Sequence, residues 1–250
     1  MLLEDNFQDI IRKASSGLKF SSEELSRLTN IPLKELEQLK LYKQPSQQQL
    51  NLLAEFLSLD KDKLSNLTFK KYHPQQKQHK DIIKIQQDYN NMKVNNYLLF
   101  ERNECLIIDS SGSQLIFNEI KKKALKPLAF LLTHPHPDHI ADIDKIQSRY
   151  RCQIIKEKED STIQIGKFEI QILKTPGHHL QHNCFLYKNY CFVGDLLFAG
   201  SIGNSNEVPY ATHLTTIKKK ILSLPESTLL FPGHGPVTSV KEELENNPFF

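Results

Sequence analysis

The 250-residue sequence predicts an α+β protein, in which a small all-α segment precedes a layered arrangement of sheets and helices. Up to about residue 68 the apolar residues recur only at helical spacing. From residue 81, short apolar or alternating runs typical of strands interleave with helical stretches. Residues 70–80 are rich in Lys, Gln and His and lack periodicity, as linkers do. We therefore predict a domain at 1–69, a linker at 70–80 and a second domain at 81–250.

The first segment contains five stretches whose apolar residues have helical spacing. Ser21 with Glu24, and Ser46 with Gln49, have the capping-box pattern, in which a serine and the acid or amide three residues later each cap the helix start. Pro32 is well placed at the first position of a helix and marks a short turn before the third stretch. The predicted helices are FQDIIRKASSG, SSEELSRLTN, LKELEQLKL, LNLLAEFL and DKDKLSNL.

Two stretches of this segment, EELSRLTNIPLKELEQL and QPSQQQLNLLAEFLSLDKDKL, resemble the lambda-repressor-like helix-turn-helix family over roughly the first 65 residues. In that family the third helix enters the major groove of DNA, so the resemblance implies duplex DNA as a partner. The implied DNA contacts are Lys34, Gln38, Lys40 and Lys43. Glu35 and Glu37 oppose attraction to phosphates, and the alternative is a helical bundle that makes protein contacts, for example in a homodimer.

The second segment has the pattern of a layered domain with sheets inside and helices outside. The helical stretches SQLIFNEIKKKAL, DHIADIDKIQSRY and HLTTIKKKILSL lie between strand-like runs. His213, in the last of these, is expected to start a helix and to have no other role. The strand-like runs are DIIKIQ, NYLLF, CLIID, LAFLLT, CQIIK, STIQI, KFEIQIL and CFLYKNYCFVGD.

The composition predicts a cytoplasmic protein with no membrane partner. The net charge is +3, too small by itself to indicate a nucleic-acid ligand. No apolar run approaches the ~20 residues that span a bilayer, and the first residues lack the basic and apolar regions of a signal peptide. The four cysteines form no CxxC pair, and buried reduced thiols are the simplest interpretation of them.

The segment THPHPDHIAD, residues 133–142, carries three of the chain's 10 histidines. It lies between a buried-looking strand and a helix, and its two prolines restrict the backbone between the side chains. Imidazole and carboxylate groups are ligands for zinc, iron and manganese. His134, His136, Asp138 and His139 are therefore candidate metal ligands.

Three further segments place the same types of side chain just after a strand. His178 lies in TPGHHLQH, Asp195 in FVGDLLFAG, and His234 in LLFPGHGP. Seven candidate ligands from four strand ends suit two metal ions better than one.

These motifs in this order, HPHPDH, TPGH, VGD and PGHG, resemble those of the metallo-beta-lactamase-fold hydrolases from about residue 85 onward. The resemblance implies an αββα sandwich, with two metal ions at one edge of the sheets. The stretches GDLLFAGSIG and LPESTLLFPGHGPVTS are similar to the short glyoxalase-II-like branch, which hydrolyses thioesters such as S-lactoylglutathione. The implied small-molecule substrate is thus a thioester, for example of glutathione.

The resemblance also implies a role for each candidate ligand. Zinc is the first expectation for both ions, with iron or manganese as alternatives. A hydroxide activated by the ions would attack the carbonyl carbon, and catalytic Asp138 would orient that hydroxide or pass its proton to the leaving group. The first ion would be held by His134, His136 and His178, the second by Asp138, His139 and His234, and Asp195 would bridge them.

Several positions depart from the branch or stay open. The branch has Gly-Arg-Thr-Asp where this chain has Gly203-Asn204-Ser205-Asn206, so an arginine is absent and the substrate is in question. Asp109 is either an acceptor for a ligand's imidazole N–H or a turn residue at a strand end. His179 and His182 either support ligands, face the substrate, or are merely solvated or hydrogen-bonded.

Three functions follow from these observations. The preferred hypothesis is a metal-dependent thioester hydrolase, because the set of seven ligands is complete. The second is a DNA-binding regulator whose metal domain is a sensor. The third is an iron persulfide dioxygenase, a neighbouring activity in which the equivalents of His134, His178 and Asp195 hold one iron.

Overall fold

The computed structural model describes residues 3–75, 79–156 and 159–250, and its regular elements up to Phe69 are the five predicted helices. Both predicted capping boxes form: the Ser21 hydroxyl accepts the Glu24 N–H, and the Gln49 side chain accepts the Ser46 N–H. Of the predicted linker, residues 76–78 lie outside the described part of the chain, and the remainder forms neither helix nor strand. The helices are α1 (Phe7–Gly17), α2 (Ser22–Thr29), α3 (Leu33–Leu41), α4 (Gln47–Phe56) and α5 (Lys61–Phe69).

The first sheet has five strands in sequential order. Its first three strands are antiparallel, whereas the third, fourth and fifth are parallel. The strands are β1 (Ile82–Tyr89), β2 (Met92–Glu101), β3 (Glu104–Ile108), β4 (Lys126–Leu131) and β5 (Gln153–Ile155). The helices that join the parallel strands are α6 (Ser113–Lys122), α7 (Pro137–Ile140) and α8 (Ile143–Tyr150).

The second sheet has six strands in the order β13-β12-β9-β8-β7-β6, and its β9–β12 pair is parallel. Its strands are β6 (Ser161–Ile165), β7 (Phe168–Lys174), β8 (Asn183–Tyr187), β9 (Tyr190–Gly194), β12 (Leu229–Pro232) and β13 (Thr238–Ser239). A separate two-stranded ribbon, which the sequence patterns do not indicate, consists of β10 (Leu197–Phe198) and β11 (Ser201–Ile202). The remaining helices are α9 (Tyr210–Thr216), continued by a π-helical turn at Ile217–Ile221, and α10 (Val240–Asn246).

Two of the expected helices differ from the sequence interpretation. The stretch after the histidine cluster is two helices, because the Asp142 backbone leaves helical geometry and its carboxylate accepts the Ser113 N–H at the start of α6. The expectation that His213 starts a helix is wrong. The helix begins at Tyr210, and His213 is a buried residue within it.

Three apolar clusters give the second segment its layers. One lies between the sheets and includes Tyr97 and Leu131 from the first sheet and Phe185 and Phe231 from the second. Another packs α6 and α8 on the outer face of the first sheet, with Ile146 fully buried. The third covers the outer face of the second sheet, which completes a layered α/β arrangement with helices outside both sheets.

The third cluster also contains the N-terminal helices. Ile10, Leu53 and Leu67 belong to the same buried cluster as Val193 and Ile217 of the second segment. The two parts therefore share one apolar core, and the boundary predicted at residue 69 stays a prediction. No helix of the described residues is both long enough and apolar enough to cross a bilayer.

Polar contacts fasten α5 to the end of the chain. The Lys63 ammonium donates to the carbonyls of Leu244, at 2.7 Å, and Phe250. The Asp60 N–H donates to the Pro248 carbonyl at 2.8 Å. Leu67 packs so tightly on Gly200 that a Cβ at residue 200 would lie 3.0 Å from its Cδ1 atom.

We expect Leu67→Ala to lower the free energy of unfolding by about 2–5 kcal/mol, because it opens a cavity in the shared core. Leu41→Ala is the control, since Leu41 is 62% exposed, and should change stability by less than about 0.5 kcal/mol. Urea unfolding followed by far-ultraviolet circular dichroism measures both. The shared core is contradicted if both variants lose a similar amount of unfolding free energy, or if neither variant loses any.

Candidate metal centre

The seven predicted ligands meet at one edge of the two sheets, each on a segment that follows a strand. Parallel strands of a sheet end at the same edge, so loops after them bring distant segments together. The segment after β4, a loop followed by α7, carries four of the side chains, and the loops after β7, β9 and β12 carry one each. The four segments supply His134, His136, Asp138 and His139; His178; Asp195; and His234.

Three imidazoles form the first group. The ligand atoms of His134, His136 and His178 all lie within 4.8 Å of one another. The His178 Nε2 and His136 Nδ1 atoms are 2.9 Å apart, so His136 turns its Nδ1 atom toward the group. The rings of His134 and His178 meet edge to face at 4.9 Å.

Two imidazoles and two carboxylates form the second group, Asp138, His139, Asp195 and His234. The His234 Nε2 atom lies 3.3 Å from Asp138 Oδ2 and 3.3 Å from Asp195 Oδ2. The His139 Nε2 atom lies 3.4 Å from Asp195 Oδ1. The Asp195 Oδ2 atom is also 3.9 Å from the His178 Nε2 atom of the first group, so Asp195 lies between the two groups.

The imidazoles are oriented by hydrogen bonds on their outer sides. The Nδ1 atom of His139 is 2.8 Å from the Asp109 carboxylate. The Nδ1–H groups of His178 and His234 each donate to a backbone carbonyl, those of Asn204 and Lys93, at 2.9 Å. A histidine that donates from Nδ1 presents the Nε2 lone pair on its other side, so these bonds aim three Nε2 atoms at the centre.

Thr133 orients His134 in the same way, through Asp109. The Thr133 hydroxyl lies 2.7 Å from Asp109 Oδ2, to which it donates, and 3.0 Å from His134 Nδ1. Because its hydrogen is directed at Asp109, the hydroxyl accepts the His134 Nδ1–H. Asp109 therefore accepts an imidazole N–H, as one of the two sequence interpretations proposed, and it supports one imidazole in each group. Thr133 was missed because a threonine at a strand end carries no metal-binding signal.

The charges of the second group suit a cation. Burial disfavours the charged form of His139, but Asp195 and Asp109 outweigh burial and raise its pKa to about 10. Burial likewise opposes charge on His234, yet Asp195 and Asp138 raise its pKa to about 11. The carboxylates thus stabilise positive charge at this position, and divalent ions would take the place of these protons.

Buried polar atoms without partners show that the side chains fit metal ions. Within the described residues, His134 Nε2, His139 Nε2 and Asp195 Oδ1 are buried and accept or donate no hydrogen bond. An unsatisfied buried polar atom is costly, and all three point into the clusters. The absence of a side chain at Gly233 keeps space beside these atoms. A Cβ there would lie 2.1 Å from Asp195 Oδ1 and 2.7 Å from His139 Cε1.

The other histidines around the centre have distinct positions. His182 is fully buried, with Nδ1 at 2.9 Å from the Thr175 hydroxyl and its ring stacked on His134 at 5.2 Å. His179 lies at the surface side, with Nε2 at 3.2 Å from the Glu207 carboxylate. His182 is therefore hydrogen-bonded, and His179, whose pKa burial lowers, lies as a neutral ring within hydrogen-bonding distance of a carboxylate.

His213 supports the loop 203–206, whose Asn204 carbonyl orients His178. Its Nδ1 atom lies 2.5 Å from the Ser205 hydroxyl, and its Nε2 atom lies 2.8 Å from the Leu196 carbonyl. Burial lowers the His213 pKa to about 4, so the ring is neutral at pH 7. Because Ser205 adjoins Asn204, whose carbonyl orients His178, His213 contributes to the centre from a position that the sequence does not reveal.

The residues implied as DNA contacts lie on or just after α3, remote in sequence from the centre. The Lys40 ammonium donates to the Ser22 hydroxyl at 2.9 Å, and Lys43 pairs with Glu35. Lys34 is exposed and Gln38 is half-buried. DNA binding by this segment stays a prediction.

Comparisons with known proteins show which proteins this chain resembles in sequence and fold. A family model described as the metallo-beta-lactamase superfamily matches residues 90–174. The chain is 34% identical over 195 residues to a probable metallo-hydrolase, YqgX, of Bacillus subtilis strain 168, a match that covers 63% of this chain and 92% of that protein. The crystal structure of the B3 metallo-beta-lactamase BLEG-1 superposes with a TM-score of 0.62 at 28% identity, covering 67% of this chain and 99% of that one.

A second curated relative is a hydroxyacylglutathione hydrolase of Buchnera aphidicola subsp. Schizaphis graminum. It is 34% identical over 152 residues, which make up 55% of this chain. The chain spans 60% of the length of that relative.

We expect Asp109→Asn to weaken binding of divalent metal about 10- to 100-fold, because the amide orients His134 and His139 less well than the carboxylate. Titration of the zinc-loaded protein against a chromophoric chelator measures the change without an activity assay. Asp62→Asn is the control, since Asp62 is exposed on α5 and lies outside the ligand clusters. Equal zinc affinity of wild type and Asp109→Asn contradicts the role of Asp109.

Proposed function

The chain belongs to the metallo-beta-lactamase superfamily of metallo-hydrolases, and on that premise we propose that it hydrolyses thioesters with a pair of divalent metal ions. The observation that carries the proposal is the convergence of five imidazoles and two carboxylates, with most of the imidazoles oriented from outside by hydrogen bonds. Such a set has little structural use without cations, because it leaves buried polar atoms unsatisfied.

The grouping of side chains supports an assignment of the ligands. His134, His136 and His178 would hold one ion, and Asp138, His139 and His234 the other. Asp195, which lies within 4 Å of imidazoles in both groups, would contact both ions. When bound, a pair of divalent ions supplies Lewis acidity, which acidifies water and polarises a carbonyl oxygen.

Asp138 is the proposed proton carrier. Burial opposes its ionisation, but bonds and charges from His234 and His139 lower its pKa, so the carboxylate is ionised at neutral pH and able to accept a proton. Its Oδ2 atom lies 3.3 Å from His234 Nε2 and 3.6 Å from His139 Nε2, at the centre of the second group. From there it would take the proton of the attacking water and pass it to the leaving group.

Two considerations support a thioester as the substrate class. The hydroxyacylglutathione hydrolase similar to this chain is named for a thioester substrate. A thiolate is also a good leaving group, so an attacking hydroxide and one carboxylate suffice as catalytic groups. Zinc is the proposed metal because its ligands in proteins are imidazole, carboxylate and thiolate groups.

We expect the zinc-loaded protein to hydrolyse S-lactoylglutathione, to lose the activity on chelation and to regain it when zinc returns. Asp138→Asn should lower kcat about 10²- to 10⁴-fold, because the amide cannot accept the proton. His73→Asn is the control, since His73 is exposed and lies outside the clusters, and it should leave kcat unchanged. Absorbance of the thioester bond measures the rate.

Activity that persists in metal-free protein contradicts the proposal. So does a protein that is inactive on thioesters with zinc but consumes oxygen with glutathione persulfide after iron loading, which would support the dioxygenase instead.

A further inference from the structure

A cavity of about 350 Å³ opens onto the metal centre, and its walls come from both segments of the chain. His178, Asp195 and His234 of the candidate centre line it. One part of its wall is the loop 203–206. Another part of its wall is the N-terminal segment, which contributes Glu4 and Asp5 and, from α1, Asp9, Arg12, Lys13, Ser16 and Gly17.

Lys13 fastens α1 to this position. Its side chain is mostly buried, its ammonium pairs with Asp5 and it donates to the Ile202 carbonyl at 2.7 Å. The ammonium also lies 4.9 Å from the centroid of the Phe198 ring, which contacts the ring of His234 edge-on at 5.7 Å. Because the mostly buried Lys13 ammonium holds α1 near the candidate ligand His234, α1 is a fixed part of the cavity wall.

The end of α1 is fastened as well. Gly17 lies against the ring of Tyr210 so closely that a Cβ at residue 17 would be 2.4 Å from it. Tyr210 begins α9 and also lines the cavity. The wall is therefore held at Lys13 and again one turn later at Gly17.

Arg12 is the cation of this wall that is available to a ligand. Its side chain is 50% exposed, and Asp9 is its acceptor among the described residues. A guanidinium has five N–H donors, so several remain free beside that contact. The Asp9 carboxylate, by contrast, already accepts from Arg12 and, at 3.0 Å, from the Asn6 N–H. Asp5 is neutralised in the same way by Lys13.

We propose that Arg12 recognises a carboxylate on the substrate, so that α1 determines specificity for acidic thioesters. The inference rests on the proposed thioester hydrolysis and deepens it. The planar guanidinium matches a carboxylate with two parallel hydrogen bonds, and Arg12 lines the same cavity as His178, Asp195 and His234. The carboxylate belongs to either the thiol part or the acyl part of the thioester, and the two sources are separable by substrate.

Three substrates test the proposal on the zinc-loaded full chain. S-lactoylglutathione carries carboxylates on its thiol part, S-succinyl-N-acetylcysteamine carries one on its acyl part, and S-lactoyl-N-acetylcysteamine carries none. We expect Arg12→Ala to lower kcat/KM about 10- to 100-fold for one or both acidic substrates, chiefly through KM, and to leave the neutral substrate unchanged. Arg12→Lys should recover part of the loss, because it keeps the charge but not the paired donors.

The matched control is Arg27→Ala, since Arg27 is an exposed arginine on α2 that does not line the cavity. It should behave as wild type, and thermal unfolding should show that all variants are folded. Equal losses on acidic and neutral substrates, or no loss on either acidic one, overturn the proposal for Arg12 and leave thioester hydrolysis standing.

A binding measurement separates this inference from the proposed function. S-methylglutathione carries the same carboxylates but has no thioester to hydrolyse. Calorimetric titration should show binding to the zinc-loaded wild type and about 10-fold or weaker binding to Arg12→Ala. If no thioester is hydrolysed, the proposed function fails and this titration alone decides on Arg12. The matching probe for an acyl-part carboxylate is the thioether S-(3-carboxypropyl)-N-acetylcysteamine. Identical binding of both probes to wild type and Arg12→Ala, or no binding of either probe, overturns the inference.

Discussion

The candidate metal centre depends on the hydrogen bonds that orient its imidazoles through their Nδ1 atoms. Isolated histidines rotate about two bonds, and a cluster of them would repel as soon as protons bound. Here a carboxylate and two backbone carbonyls accept Nδ1–H groups, and the Thr133 hydroxyl accepts another. Each accepted bond selects the tautomer that leaves Nε2 facing inward. Asp109 contributes most, because it contacts His139 directly and acts on His134 through Thr133.

The layered fold provides this support because it aligns strand ends from both sheets. Asp109 follows β3, Thr133 follows β4, and the Asp109 N–H donates to the Leu131 carbonyl across that parallel pair. Asp195 and His234 follow β9 and β12, which are parallel neighbours in the second sheet. The buried cluster between the sheets packs the two sheets against each other, which fixes the strand ends that carry these residues.

The sequence predicted the elements that depend on local chemistry. The capping boxes at Ser21 and Ser46 and the histidine cluster between a strand and a helix involve residues close together in the chain. It also predicted which seven side chains would converge, because each follows a strand-like run. The helix-turn-helix resemblance and the residue-69 boundary were likewise sequence predictions, and they remain so.

The sequence did not reveal contacts between distant segments. Lys13 and the Ile202 carbonyl are separated by 189 residues, and no periodicity or motif connects them. The supporting roles of Thr133 and His213 were hidden because a threonine at a strand end and a histidine in a helix are common in any fold. The break at Asp142 depends on a bond to Ser113, which only the packed structure brings near. These features follow from tertiary packing, which overrides local preference.

One face of α1 packs in the core and the other lines the cavity, so substitutions on the two faces have different effects. Ile10, Ile11 and Ala14 are buried in the shared core, whereas Arg12 and Ser16, one turn apart, are exposed at the cavity. Substitutions at positions 12 and 16 can therefore diversify selectivity while the core stays intact. A one-residue deletion inside the helix would affect both faces. It rotates all later side chains of α1 by about 100°, which disrupts both the core packing and the cavity lining.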